Sequence, residues 1–197
     1  MLKDSKFRVF VVDNYDSFTY NLVHLVEQSS IECVVKRNDA LKLEELEDFS
    51  HIIIGPGPGL PDESGLVLDI IQRYSSSKSI LGICLGMQAL LISDGIGMVN
   101  LQNVQHGAQD LISLQSDSKL FADIAQSIKV GRYHSWAFTL DDISKNYRVI
   151  AESSDGLIMA IEHVSKPLFG IQFHPESIMT EHGFNMIENW LKSKPYD

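Results

Sequence analysis

The sequence is poor in basic residues and in cysteine, and it has no long hydrophobic run. Lysine and arginine number 16 against 26 aspartates and glutamates, which gives a formal net charge of −10. Nucleic acids and anionic membrane surfaces bind clustered basic side chains, so this balance argues against both as partners. No apolar stretch approaches the roughly 18 residues that span a bilayer. The apolar run that ends at Asp13 is too short for a signal peptide.

The two cysteines, Cys33 and Cys84, are too few for a disulfide framework. Neither belongs to a C-x-x-C pair and the chain has no H-E-x-x-H motif, so no metal site is expected. A reducing, cytoplasmic setting is the expectation, and a functional thiol stays free to react there. The chain is long enough to bury a core, and neither a repeat nor a linker divides it. We therefore expect one domain over residues 1–197.

The first half of the chain alternates predicted strands and helices. Strands are predicted at Phe7–Asp13, 32–37, His51–Gly55 and 79–83. Helices are predicted after a cap at Asp16 or Ser17, from about Glu63 to Tyr74, and over G-M-Q-A-L-L-I. This alternation indicates an α/β fold with an open, mostly parallel sheet flanked by helices.

Short strands replace this alternation after Gly95. They are predicted at Met98–Asn103, Leu111–Leu114, Ile128–Val130, Arg148–Ala151, Ile158–Glu162 and Leu168–Phe173. Such a series indicates a mixed or antiparallel extension of the same sheet. A closing helix is predicted in G-F-N-M-I-E-N-W-L-K-S, whose apolar residues share one face.

Cys84 lies between Gly82 and Gly86 at the point where a predicted strand turns at once into a helix. The same glycine spacing surrounds the nucleophile of α/β-hydrolases, because glycines relieve the crowding of a tight turn. The helix N-terminus that follows favours thiolate over thiol. Most free cysteines are small buried hydrophobic residues, and Cys33, inside a plain strand, keeps that interpretation. The flanking glycines make Cys84 the candidate nucleophile.

A base for this nucleophile is expected in G-I-Q-F-H-P-E-S, at the end of the last predicted strand. Side chains two residues apart share a face of an extended segment, so Glu176 can hold the imidazole of His174 in one tautomer. Nucleophile, base and orienting group are the parts of a catalytic triad. On its own an H-P-E triplet more commonly marks a surface turn. Together with the cysteine elbow it favours catalysis.

The loop G-P-G-P-G-L-P directly follows the third predicted strand. Open α/β folds bind ligands at the carboxyl ends of their parallel strands, where this loop is expected. Gly57 and Gly59 leave backbone N–H groups uncovered beside rigid prolines, as an oxyanion hole requires. Taken alone, the loop fits a rigid connecting turn equally well.

The three motifs together, at Gly55–Gly59, Gly82–Gln88 and Phe173–Ser177, resemble those of the class I (triad) glutamine amidotransferases. The likeness extends from Phe7 to Leu191. In that family a cysteine attacks the side-chain amide of glutamine, releases ammonia and forms a γ-glutamyl thioester that water hydrolyses.

The resemblance implies a role for each matching position. Cys84 is implied as the nucleophile, His174 as the base and acid, and Glu176 as the orienting carboxylate. Backbone N–H groups of Gly57 and Leu85 are implied as oxyanion donors, with Pro58 and Gly59 beside them in the substrate-binding loop.

Two further stretches, V-G-R-Y-H-S-W and V-Q-H-G, look like those of the anthranilate synthase component II and aminodeoxychorismate synthase subunits. This likeness implies that Gln88, Ser135 and the backbone of Trp136 hold the glutamine substrate. It places His106 on a rim that faces a partner. Met87 departs from the pattern, because many members of this subfamily have histidine there.

The favoured interpretation is the glutaminase subunit of an anthranilate synthase, which passes ammonia to a chorismate-binding synthase subunit. The sequence ends soon after Glu176, so the ammonia acceptor is expected on another polypeptide. The resemblance implies no cofactor in this chain and Mg²⁺ on the partner.

Three alternatives stay open. The first is the aminodeoxychorismate synthase glutaminase subunit, or one subunit shared by both enzymes. The second is a stand-alone thiol hydrolase of γ-glutamyl compounds. The third, a non-catalytic interaction subunit, is disfavoured because Cys84, His174 and Glu176 are all present.

Overall fold

Strands and helices alternate along the first half of the chain in a computed structural model that describes residues 7–102, 107–115 and 117–193. The strands are β1 Arg8–Asp13, β2 Glu32–Arg37, β3 His51–Ile54, β4 Ser79–Ile83, β5 Val99–Asn100, β6 Ala108–Leu114, β7 Ser127–Arg132, β8 Trp136–Ala137, β9 Tyr147–Ser153, β10 Ile158–His163 and β11 Leu168–Ile171. The helices are α1 Thr19–Glu27, α2 Val67–Tyr74, α3 Leu85–Ser93 and α4 Gly183–Leu191. Short 3₁₀ helices lie at Leu43–Leu46, Pro61–Glu63, Lys119–Phe121 and Leu140–Asp142.

One sheet carries most of these strands, in the order β2-β1-β3-β4-β11-β10-β9-β6-β7. Strands β2, β1, β3, β4 and β11 run parallel to one another. From β11 onward each pairing is antiparallel. The small strands β5 and β8 pair separately. The predicted α/β sheet with an antiparallel extension is confirmed.

Both faces of the central parallel strands β1, β3, β4 and β11 are buried, whereas the edge strand β2 is only partly covered. Along β1, Val9 and Val11 pack into one core while Phe10 and Val12 pack into the other, because successive side chains of a strand alternate in direction. Helices α1 and α4 cover the first face, and α2 and α3 cover the second. Burial on both sides is why these strands read as unbroken apolar runs. None of the helices in the described part of the chain has the length and apolar character that a bilayer crossing requires.

The boundaries of several predicted elements differ from those observed; strand β6, for example, begins at Ala108 instead of Leu111. Helix α2 begins at Val67 instead of Glu63, since a 3₁₀ turn and Gly65, at φ +55°, interrupt the chain before it. Helix α1 has Phe18 as its N-cap residue, and Asp16 contributes by accepting the Phe18 N–H at 2.8 Å. Strand β5 is only Val99–Asn100, and both of its side chains are exposed.

His51, the first residue of β3, is a fully buried polar side chain in the core. Its Nε2 lies 2.9 Å from the Ser193 carbonyl oxygen, which can only accept, so Nε2 carries the hydrogen. Nδ1 then accepts from the Ser50 hydroxyl at 2.9 Å. The ring also contacts the aromatic rings of Phe7 and Trp190. Burial lowers the pKa of His51 to about 4, against the smaller opposing effect of the Ser193 hydrogen bond.

The lowered pKa of His51 predicts a loss of stability in acid. The unfolded chain binds a proton near pH 6.5, whereas the folded chain resists it down to about pH 4. The stability contributed by the neutral ring is therefore present above pH 6.5 and falls as the pH drops, by about 2 kcal/mol at pH 5. His51→Gln, which does not titrate, should show a smaller fall in unfolding free energy between pH 7.5 and pH 5 in urea titrations. Exposed His24→Gln is the control, and equal falls in wild type and His51→Gln would contradict the prediction.

Candidate active site

Cys84 lies at the bend between β4 and α3. Its backbone has φ +52° and ψ −102°, a conformation that side-chain-bearing residues rarely adopt. The Cys84 N–H donates to the Ile171 carbonyl at 2.7 Å, and the Cys84 carbonyl accepts from the Gln88 N–H at 3.1 Å. These two hydrogen bonds hold the bend on both sides. This is the sharp strand-to-helix turn that the sequence predicts.

Close packing of the backbone explains the two glycines around Cys84. A Cβ on Gly82 would lie 2.3 Å from the carbonyl oxygen of Gly86. A Cβ on Gly86 would lie 2.1 Å from the carbonyl oxygen of Ile54 at the end of β3. No side chain fits at such distances, so the first turn of α3 lies directly against the ends of β3 and β4.

His174 reaches the same edge because β11 is the parallel neighbour of β4. Its Nδ1–H donates to Glu176 Oε1 at 2.6 Å, and both side chains are almost completely buried. The ring of Tyr133 packs edge-on against the imidazole, with 5.0 Å between ring centroids. Nε2 makes no hydrogen bond to a nitrogen or oxygen atom within the described residues, which leaves it free to exchange a proton.

The pKa of His174 is raised to about 10. Burial acts in the other direction and lowers it, but the hydrogen bond and charge of Glu176 and the adjacent Cys84 sulfur outweigh burial. The ring is therefore an imidazolium at neutral pH. A cysteine beside an imidazolium that a carboxylate orients is the arrangement of an activated thiol nucleophile.

A cavity of about 430 Å³ opens beside these side chains, a volume within the range of small-molecule sites. Cys84 and His174 line it together with Pro56, Gly57 and Pro58 of the G-P-G-P loop. The rest of the lining is Tyr15, Asp16, Ser17, Phe18 and Tyr133. The structure thus brings all three sequence motifs to one cavity.

Asn14 holds the G-P-G-P loop in place. Its Nδ2 donates to the Gly55 carbonyl at 2.8 Å, and its Oδ1 accepts from Asn38 Nδ2 at 3.0 Å. A Cβ on Gly57 would lie 2.5 Å from the Asn14 backbone oxygen, so only glycine fits there. Within the part of the chain that the structure describes, the N–H groups of Gly57 and Leu85 have no hydrogen-bond partner. Their assignment as oxyanion donors stays a prediction.

The other predicted substrate-binding residues lie outside this cavity lining. Gln88 is buried in α3, where its Nε2 lies 3.3 Å from the Trp136 carbonyl oxygen and 3.3 Å from Gln172 Oε1. The Ser135 carbonyl accepts from the Leu101 N–H at 2.8 Å. Gly59 is exposed on the loop, at φ +79°. Roles in glutamine binding for Gln88, Ser135 and Trp136 stay predictions, and His106 lies outside the described residues.

Met87 fills space that Gly170 leaves open on β11. Met87 is fully buried, and a Cβ on Gly170 would lie 2.7 Å from its Cγ. The side chain therefore packs against the sheet and does not line the cavity beside Cys84. This departure from the subfamily pattern lies in the core and leaves the cavity lining unchanged.

Sequence reasoning missed two parts of the site. One is the Tyr15–Phe18 segment, which lines the cavity. This segment directly follows β1, and because parallel strands end at one edge of the sheet, that position could have indicated its place in the site. The other is Gln172, whose Nε2 lies 3.5 Å from Cys84 Sγ. Gln172 lies two residues before His174, at the end of the predicted strand Leu168–Phe173, and this position could have indicated that it faces the site.

The protonation of His174 can be measured by histidine-selective NMR titration. We expect the His174 signal to keep its imidazolium shift to near pH 10, while the His51 signal keeps its neutral shift down to near pH 4. Glu176→Gln removes the charge that stabilises the imidazolium and should lower the His174 midpoint by at least about one pH unit. A wild-type midpoint near 6.5 for His174 would rule out this account.

Comparisons with known proteins agree with this geometry. The family model described as glutamine amidotransferase class-I matches residues 10–194. The chain is 37% identical over 188 residues to aminodeoxychorismate/anthranilate synthase component 2 of Bacillus subtilis, covering 94% of this chain and 96% of that protein. It is 39% identical over 185 residues to aminodeoxychorismate synthase component 2 of Escherichia coli, covering 93% and 98%. The crystal structure of a glutamine amidotransferase from Thermotoga maritima shares the fold, with a TM-score of 0.74 at 17% identity over 96% of this chain and 82% of that chain. The chain belongs to the class-I glutamine amidotransferases.

Proposed function

We propose that this chain is the glutaminase subunit of an anthranilate synthase, which hydrolyses glutamine and passes the ammonia to a chorismate-binding synthase subunit. The observation that carries the chemistry is the cavity in which Cys84 and the Glu176-oriented His174 face the G-P-G-P loop. Residues 1–197 act as one glutamine amidotransferase domain in this proposal.

Each residue of the site has one task in the reaction. The Cys84 thiolate attacks the amide carbon of glutamine, and the tetrahedral oxyanion is stabilised by the Gly57 and Leu85 N–H groups. His174 gives its Nε2 proton to the departing nitrogen, so that ammonia leaves and a γ-glutamyl thioester remains. His174 then takes a proton from water, hydroxide adds to the thioester, and the sulfur leaves as glutamate forms. Glu176 keeps the imidazole in the tautomer that both proton transfers need.

Substrate recognition is assigned to α3 and to the segment at Ser135 and Trp136. Gln88, Ser135 and the backbone of Trp136 hold the glutamine head group in this proposal, with Pro58 and Gly59 on the loop opposite. The hydrogen bond between Gln88 and the Trp136 carbonyl already joins two of these residues.

Large apolar side chains exposed beside the site support a protein partner. Ile178 lies two residues after Glu176 and is fully exposed, and Tyr20 on α1 is 72% exposed. Ile178 lines a second cavity of about 500 Å³ together with Phe18, Met179 and other residues. Exposed apolar side chains grouped around a cavity are typical of surfaces that another protein covers.

The names of two relatives support the choice of partner. The Bacillus subtilis relative is named for both aminodeoxychorismate and anthranilate synthase, and the Escherichia coli relative for aminodeoxychorismate synthase. The second candidate function is therefore the aminodeoxychorismate synthase glutaminase subunit, or one subunit that serves both. We assign Mg²⁺ to the synthase partner and no cofactor to this chain. We also assign the chain to the cytoplasm, where the Cys84 thiol stays reduced.

A glutamine-mimicking electrophile tests the nucleophile directly. It should label Cys84 and spare Cys33, because burial raises the pKa of the Cys33 thiol to about 12 and keeps it protonated. Cys84→Ser should abolish glutaminase activity, and Cys33→Ser is the matched control that should keep it. Mass-spectrometric labelling confined to Cys33, or a fully active Cys84→Ser protein, would overturn the proposal.

Glutamate release with and without the synthase partner tests the subunit role. Ammonia freed in water at neutral pH becomes ammonium, which is not a nucleophile, so an uncoupled glutaminase wastes glutamine. We expect the isolated chain to be slow and the partner with chorismate to raise its rate at least about tenfold, since small shifts of the oxyanion donors change rates strongly.

The controls separate the two reactions of the complex. The partner alone should make product from high ammonium, and Cys84→Ser in the complex should leave that reaction intact. Product analysis with each synthase distinguishes anthranilate from aminodeoxychorismate. An isolated chain that already works at the full rate of the complex would favour the stand-alone γ-glutamyl hydrolase.

A further inference from the structure

We propose that Gln172 is a further catalytic residue of the glutaminase reaction, which donates its Nε2–H to Cys84 Sγ and stabilises the thiolate. This inference rests on the proposed function for its reaction, although its central contact is independent of the substrate. The thiolate exists twice in the cycle, before attack and again when the sulfur leaves the thioester. A donor fixed on the sulfur serves both steps.

The position of Gln172 suits this role. Its side chain is fully buried, and Nε2 lies 3.5 Å from Cys84 Sγ, a normal distance for an N–H···S hydrogen bond. The backbone N–H of Gln172 donates to the Met159 carbonyl at 2.8 Å, which extends the sheet one residue beyond β11. Gln172 directly follows β11, the strand that pairs with β4, and its side chain reaches Cys84 from there.

A series of hydrogen bonds decides which end of the Gln172 amide faces the sulfur. The Trp136 carbonyl oxygen can only accept, so the Gln88 atom 3.3 Å from it is the NH₂ group. The same NH₂ group lies 3.3 Å from Gln172, so the facing Gln172 atom is the acceptor Oε1. The other end of the Gln172 amide, next to Cys84, is therefore the donor Nε2.

A buried arginine and His134 hold the Trp136 carbonyl, the acceptor from which these orientations follow. Arg132, which binds Asp110 at 2.6 Å, is 2% exposed, and its Nε donates to His134 Nε2 at 3.2 Å. His134 Nδ1 therefore carries the hydrogen and donates to the Trp136 carbonyl at 2.9 Å. Burial first, and the charge of Arg132 second, lower the pKa of His134 to about 4, so the ring stays neutral in this arrangement. The amide of Gln172 is held in one orientation from the far end.

The chemistry of the site needs such a donor. A buried anion without hydrogen bonds is costly, and donors to a charged acceptor are the strong ones. His174 supplies the positive charge beside Cys84, but its proton leaves with the ammonia. The Gln172 N–H does not titrate, so it stays on the sulfur throughout the reaction.

The test is the pH dependence of Cys84 alkylation by iodoacetamide, in a Cys33→Ser chain that has a single thiol. Gln172→Met keeps the length of the side chain and removes the donor. We expect its alkylation midpoint to move up by about one pH unit and its rate at pH 7 to fall about tenfold. With glutamine, kcat should fall while KM stays within about twofold, since the contact is made to the nucleophile. Gln109→Met is the matched control, because it removes an exposed glutamine N–H, donated to the Met179 carbonyl, and Gln109 lines neither cavity.

Gln172→Glu covers the case in which the methionine variant does not fold. It keeps the shape of the side chain but places a carboxyl beside the sulfur, so we expect the alkylation midpoint to rise at least as far. If the folded variants keep the wild-type midpoint and kcat, and only the melting temperature falls, Gln172 is a packing residue and the inference is wrong. Failure of the proposed function gives a different result, a Cys84→Ser chain that keeps full glutaminase activity.

Discussion

The hydrogen bond from the Cys84 N–H to the Ile171 carbonyl is the contact on which the site depends. It continues the parallel ladder of β4 and β11, in which Ile83 pairs with Ile171, by one residue. It joins the residue after β4 to the last residue of β11, and it therefore fixes where the backbone leaves the sheet at the end of both strands. On one side follow Cys84 and α3, and on the other follow Gln172, His174 and their carboxylate partner. Nucleophile and base come from positions far apart in sequence, yet one strand pairing sets their separation.

The strained backbone at Cys84 is consistent with this constraint. A non-glycine residue at positive φ outside the favoured region costs on the order of 1–3 kcal/mol and persists only where its surroundings determine it. Here the surroundings are a hydrogen bond on each side of the bend and backbone contacts at Gly82 and Gly86 that leave no room for a Cβ. The tight packing lets the helix start immediately after the strand. The thiol therefore lies at the N-terminus of α3.

Local sequence signals predicted the parts of the site that depend on local backbone geometry. Glycine spacing at Cys84 and the glycine–proline loop each specify a backbone shape, and the alternation of strands and helices places both at one edge. The sequence predicted the contact of His174 with Glu176 from an extended segment, whereas the structure makes it within a turn, in which the Ser177 N–H donates to the His174 carbonyl at 3.2 Å. Gln172 and the Tyr15–Phe18 segment gave no such signal, because their roles depend on which strands become neighbours. The start of α2 was wrong by four residues since the turn at Gly65 breaks a continuous apolar pattern. Strand β8 was missed because it has only two residues, which are too few to show the alternation of apolar and polar side chains that predicts a strand. Its partner strand β5 is exposed and adds no apolar pattern.

Three buried histidines show how partners, more than burial, decide the charge of a side chain. Burial favours the neutral ring in each of them. His51 binds a carbonyl and a hydroxyl, and His134 binds a carbonyl and an arginine, so nothing opposes burial sufficiently and the pKa of each falls to about 4. His174 instead binds the Glu176 carboxylate and adjoins the thiol, and its pKa rises to about 10. The neutral His134 can then donate to the Trp136 carbonyl and hold that acceptor in place, while the charged His174 can give up a proton. The fold thus uses one residue type both to orient the site and to carry its proton.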